Sequence, residues 1–179
     1  MNTMQLERVM KTDPYTRSQF RGVFAADQLP RRVKTYPSAY IVNTDPASEP
    51  GAHWVAFYFP QKDKGEFFDS YGDTPAYYSG IFKTFIKQNS CTWTYNHQPL
   101  QSLLSRVCGQ YCLFYLLHRC HGVNMFKILR YFHKNKERND RFVNEFICKH
   151  FSRILKLNMC NPYQSCVSER SKKAKKKCM

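Results

Sequence analysis

An imidazole, a carboxylate, a carboxamide and a thiol follow one another along this 179-residue chain. They are His53 in Gly51-Ala52-His53-Trp54, Asp69 in Phe67-Phe68-Asp69-Ser70, Gln101, and Cys108 followed by Gly109. Singly, each has an ordinary reading: a surface histidine, a turn-capping aspartate, a solvated glutamine, a core cysteine. Together they are the parts that amide hydrolysis by a thiol requires. A free thiol with a pKa of about 8.5 is mostly protonated at neutral pH, and a helix N-terminus with a nearby base shifts it toward thiolate. His53 can take the Cys108 proton and later deliver it to the leaving amine. Asp69 on a neighbouring strand would accept the other imidazole N–H and fix its tautomer. The Gln101 side-chain N–H, with the Cys108 backbone N–H, would hold the oxyanion. Gly109 would let backbone approach the substrate closely.

These residues need a scaffold that presents strand ends to a helix start. Residues 5–10 read as a short helix, and 12–37, with prolines and little periodicity, as an ordered loop region. Residues 39–43 (AYIVN) and 53–59 (HWVAFYF) read as strands joined by the turn-rich segment 44–51. The second is apolar almost throughout, which suits a central strand. Residues 61–65 read as a hairpin loop, 66–70 (EFFDS) as a third strand, 77–87 as a helix and 92–95 as a short strand. Residues 108–120 (CGQYCLFYLLHRC) are apolar nearly all round, as in a helix buried mid-domain. Residues 126–132 form another candidate helix, and apolar residues from Phe142 to Leu155 recur at helical spacing. The expected class is α+β: a small, mixed, mostly antiparallel sheet packed on helices, with the nucleophile opening the buried central helix. One domain spans 1–160, followed by a basic tail at 161–179. Trp54 is expected to shield the His53 ring or border the cleft, and Cys112 to be core.

The strand–loop–strand of Ala39–Thr44 and Gly51–Phe57, the Phe68-Asp69 strand, Gln101 seven residues before the cysteine, and Cys108-Gly-Gln-Tyr-Cys-Leu-Phe114 resemble the adenovirus protease family. The resemblance covers about residues 36–117. It implies a cysteine endopeptidase that cleaves capsid and core precursors during particle maturation, in a host nucleus or virion. It also implies activation by DNA and by a short peptide disulfide-linked to the protease, for which Cys91 stands close to the matching position. The chain departs from the family in Arg106-Val107, where small residues are usual, and in its basic C-terminus. Such proteases also occur in Maverick or Polinton-type transposons and related DNA viruses.

Charge and cysteine content point the same way. The net charge is +15 and the sequence pI about 9.6, which favours nonspecific contact with a phosphate backbone. Residues 170–177 (RSKKAKKK) carry six cations and no acid, and residues 119–156 hold ten Lys and Arg against three acids. Eight cysteines without a CxxC pair give no zinc signature, so no metal is expected. Without a signal peptide or an apolar run of membrane length no membrane partner is expected, and the chain is expected to be a monomer. Two other readings stay open. A peptidase for ubiquitin-like modifiers shares the His–Asp–Gln–Cys order, but usually has Asp where Val107 stands. A non-catalytic nucleic-acid-binding protein would use the basic helices alone.

Overall fold

The computed structural model describes residues 1–78 and 80–155. Helix α1 (Thr3–Thr12) starts on a reciprocal cap: the Asn2 side chain accepts from the Gln5 N–H, and the Gln5 side chain accepts from the Asn2 N–H, both at 3.0 Å. Asp13 caps α2 (Pro14–Gln19) one way only, its side chain accepting from the Thr16 N–H at 2.9 Å. Strands β1 (Phe20–Phe24), β2 (Ser38–Asn43), β3 (Trp54–Gln61), β4 (Asp63–Phe68) and β5 (Ser90–Tyr95) form one sheet in chain order. Between β4 and β5 lie α3 (Pro75–Tyr78) and α4 (Gly80–Asn89); α5 (Cys108–Cys120), α6 (Met125–Leu129) and α7 (Lys136–Leu155) complete the order.

The sheet is buried on both faces, which explains why its central strands read as continuous apolar runs. Ala39 and Ile41 of β2, with Ala56 and Tyr58 of β3, face one core; Tyr40 and Val42, with Val55, Phe57 and Phe59, face the other. The first core contains α1, α5 and α7, and the second packs on α4. Helix α5 lies inside the first core, covered by the sheet, α1 and α7, so its apolar residues point in all directions.

The α+β class and the mixed sheet agree with the sequence reading, but the strand senses do not. β2–β3 and β3–β4 are antiparallel, whereas β1–β2 and β4–β5 are parallel, so the sheet is evenly mixed rather than mostly antiparallel. The segment 12–37 is not all loop, since it holds α2, β1 and the 3₁₀ turn Ala26–Gln28. β1 is short and interrupted by a register shift at Gly22, and long-range pairing with β2 supplies its strand character. The expected loop at 61–65 shrinks to Lys62-Asp63, with Asp63 at a positive φ of 64°, and β4 starts at once. The expected end of the domain and the basic tail lie outside the described residues.

Candidate active site

Three chain segments converge where β3 begins, β4 ends and α5 begins. His53 immediately precedes β3, Asp69 immediately follows β4, and Cys108 is the first residue of α5. Adjacent antiparallel strands therefore carry the base and its carboxylate at the same end of the sheet: Ala56, three residues after His53, pairs with Phe68, the residue before Asp69. The turn feeding His53 is fixed by Gly51 at φ 90°, where a Cβ would lie 2.5 Å from the Asn43 side-chain nitrogen. The Thr44 N–H then bonds the His53 carbonyl at 2.9 Å.

The His53 Nε2 donates to Asp69 Oδ1 at 2.6 Å, with both side chains buried. With Nε2 engaged by Asp69, Nδ1 is the ring nitrogen left to act on the Cys108 thiol, with which the imidazole is electrostatically coupled. Asp69 is fully buried and saturated. Oδ1 also accepts from the Tyr71 N–H at 3.1 Å, and Oδ2 accepts from the Asp73 N–H at 2.9 Å and the Tyr78 hydroxyl at 2.8 Å. Burial alone would lower the His53 pKa, but its bonds to Asp69 and Cys108 raise it from 6.5 to about 9. Burial pushes the Cys108 thiol up; the hydrogen bond and charge of His53, with a bond from the Trp54 backbone, bring it below its usual value. Both shifts favour the thiolate–imidazolium form of the pair.

The start of α5 suits that charge. No side chain caps the helix at Val107, and the partial positive charge of the helix start favours an anionic sulfur at Cys108. Gln101 lies beside the segment that follows Asp69: its backbone N–H bonds the Ser70 carbonyl at 3.0 Å, and its Oε1 accepts from the Ser70 hydroxyl at 2.7 Å. Its Nε2 gives one hydrogen to the Ser105 carbonyl at 3.1 Å, and the side chain is buried. A cavity of about 410 Å³ walled by residues 1–3, 23–25 and parts of the 43–51 loop reaches Gly51 and Trp54, though none of His53, Asp69, Gln101 and Cys108 lines it.

Several sequence expectations change. The ring on His53 is not Trp54: Tyr71 and Tyr78 stack on the imidazole, at centroid distances of 4.7 and 5.6 Å. Trp54 instead donates to the Met1 carbonyl at 3.1 Å and lies against Gly109. Gly109 is buried under the N-terminal segment, where a Cβ would meet Leu6 at 3.2 Å, so its small size serves packing rather than substrate approach. Cys112 is buried core, as expected. The two tyrosines and Asn96, whose Oδ1 accepts from the Asp69 N–H at 2.9 Å, were not legible in the sequence. They belong to no spaced motif and meet the site only through the fold.

Cys91 stands apart from this group. It is an exposed free thiol near the start of β5. β4 and β5 run parallel, with Asp63 opposite Ser90 and Phe67 opposite Tyr95. Asp69, beyond the other end of β4, is therefore roughly 20 Å away at about 3.3 Å per residue. The Cys91 thiol donates to Asp63 Oδ1 at 3.4 Å, and that carboxylate raises its pKa, which disfavours the thiolate needed for disulfide exchange. A disulfide-linked activating peptide at Cys91 thus gains no support from this geometry. Among the described residues no cluster of three His, Cys, Asp or Glu side chains could hold a metal ion, and no helix is long and apolar enough to cross a membrane.

Neither family models nor curated proteins give a significant match to this chain.

Proposed function

We propose that this protein is a cysteine endopeptidase that cleaves capsid or core precursors in a maturing viral or transposon particle, as in the adenovirus proteases its motifs resemble. The reading rests on one observation: His53 is hydrogen-bonded to a fully buried Asp69 and coupled to a thiol at a helix start that no side chain caps. In this mechanism the Cys108 thiolate attacks the scissile carbonyl, forming the S–C bond while the π electrons move to oxygen. The Cys108 N–H and the Gln101 carboxamide stabilise that oxyanion. Collapse breaks the C–N bond as the His53 imidazolium protonates the departing amine. Water, deprotonated by His53, then hydrolyses the acyl-enzyme. Asp69 keeps the imidazole oriented throughout. The cavity beside Trp54 offers room for residues flanking the cleaved bond.

DNA is the second proposed partner, bound without sequence preference in a host nucleus or particle. Support comes from Lys127, Arg130, Lys134, Arg138, Arg141, Lys149 and Arg153, all exposed along α6, α7 and their connection. Arg119 is not among them, because it is buried in an ion pair with Glu66.

The test is to incubate wild-type and Cys108→Ala protein with a proteome-derived peptide library and a ubiquitin-like fusion, then map new termini by mass spectrometry. New termini in the library with wild type, and none with Cys108→Ala, are expected. Release of the modifier alone would favour the deconjugating reading. Intact substrates throughout would leave a nucleic-acid-binding protein.

A further inference from the structure

Asp140 is a buried carboxylate on the second turn of α7, only 1% exposed, with no Lys, Arg or His partner among the described residues. An uncompensated buried charge is costly unless strong donors surround it. Its donors all come from the segment carrying Gln101 and the helix carrying Cys108. Oδ2 accepts from the Ser102 hydroxyl at 2.6 Å, and the Ser102 N–H points between the two oxygens at 3.3 and 3.4 Å. Oδ1 lies 2.9 Å from the hydroxyl of Tyr111, one turn beyond Cys108, which also lies 3.0 Å from the Leu100 carbonyl. The neighbouring Asn139 gives its Nδ2 to that same carbonyl at 3.1 Å. Gln101 is thus bracketed: Leu100 and Ser102 are held by α7, while its own N–H and Oε1 are held by Ser70.

We propose that Asp140 is a positioning residue for the oxyanion donor, acting through Ser102 to hold Gln101 against the nucleophile helix. The inference rests on the peptidase reading. Charged acceptors make shorter and stronger bonds than neutral ones, and an oxyanion donor works only if it is already in place when charge develops. A carboxylate accepts from all three donors at once. An amide in its place has one acceptor oxygen and must turn an NH₂ toward another donor.

Two thiol probes separate this role from a general structural one. Iodoacetamide alkylates Cys108 by displacement: S–C forms, C–I breaks, iodide leaves, and no oxyanion arises. A peptide aldehyde adds the thiol across its C=O, giving a hemithioacetal whose oxygen occupies the oxyanion site. Asp140→Asn should weaken aldehyde binding and lower kcat by about 10 to 10²-fold, less than the full loss of one oxyanion donor. KM and the iodoacetamide rate should stay within about twofold. In a Gln101→Ala background the same substitution should cost less than about twofold, because residues acting through one another are not additive. Ser102→Ala should show the same pattern if Asp140→Asn fails to fold. Additive losses, or equal slowing of both probes, would overturn the proposal. Wild-type protein that iodoacetamide labels at Cys108 but that cleaves no peptide would sink the peptidase reading instead, while the aldehyde comparison would still decide the role of Asp140.

Discussion

At the residue scale the proposed catalytic set centres on a coupled pair, His53 and Cys108, whose charge depends on partners. The folded His53 pKa lies above its unfolded value, so its contribution to stability is complete below pH 6.5 and is lost as pH rises through about 9. Cys108 has the opposite sign: its contribution is present above the ordinary thiol value and is lost as pH falls through its depressed folded value. The charged pair is therefore populated between that depressed value and about 9. Iodoacetamide labelling of Cys108, followed against pH, should show a fast plateau across this window. His53→Ala should abolish the plateau and move the titration above that of a free thiol, since burial without the imidazole raises it. An unchanged profile would mean that the two groups do not interact. Asp69→Asn should preserve the fold yet cut kcat by about 10² to 10⁴-fold through a misoriented ring, checked by steady-state cleavage and circular dichroism. Cys108, His53 and Asp69 were readable because thiol chemistry demands those types in combination. Tyr71 and Tyr78 were not, because an aromatic stacked on a base looks in sequence like any other core aromatic.

The elements hold this set by pinning α5 to β4. Arg119 at the end of α5 makes a two-pronged ion pair with Glu66, Nε to Oε2 at 2.7 Å and a second guanidinium nitrogen to Oε1 at 3.0 Å. The Tyr115 hydroxyl donates to the same carboxylate, and the guanidinium lies over the Tyr58 ring at 4.5 Å. Removing one partner strands a buried charge, so Glu66→Gln should destabilise by about 3 to 5 kcal/mol in urea unfolding. Exchanging both for apolar residues should restore much of that loss, because a well-packed apolar pair escapes the desolvation penalty. If Glu66→Gln cost nothing, the pair would be ornamental. Helix α5 was legible because a buried helix is apolar on every side. β1 and the parallel sense of the outer pairs were not, because direction is set by which edge a segment joins, and composition does not encode that choice. The boundary residues slipped by one or two positions: His53 and Asp69 read as strand members, yet they stand just off the ends, where side chains are free to turn toward a neighbour.

Across the whole molecule, charge and chain order matter more than any single contact. The exposed cations of α6, α7 and their connection should bind duplex DNA with a log–log salt slope of about −0.9 per phosphate contacted. Replacing Arg138 and Arg141 with Gln should make the slope shallower by up to about two such contacts, as measured by fluorescence anisotropy at several salt concentrations. An affinity indifferent to salt would assign the charge another role. Burial of Gly109 beneath Leu6, and the packing of α1 against both α5 and α7, carry a consequence in time. During synthesis the nucleophile is made well before the helix that completes its surroundings. A nascent chain ending near residue 135 would carry His53, Asp69 and Cys108 but neither Asp140 nor the α7 face against which α1 packs. Such a chain should react poorly with a peptide aldehyde until α7 is supplied. On the peptidase reading, the order of the elements would delay a competent site until α7 has been made and has folded back onto α1 and α5.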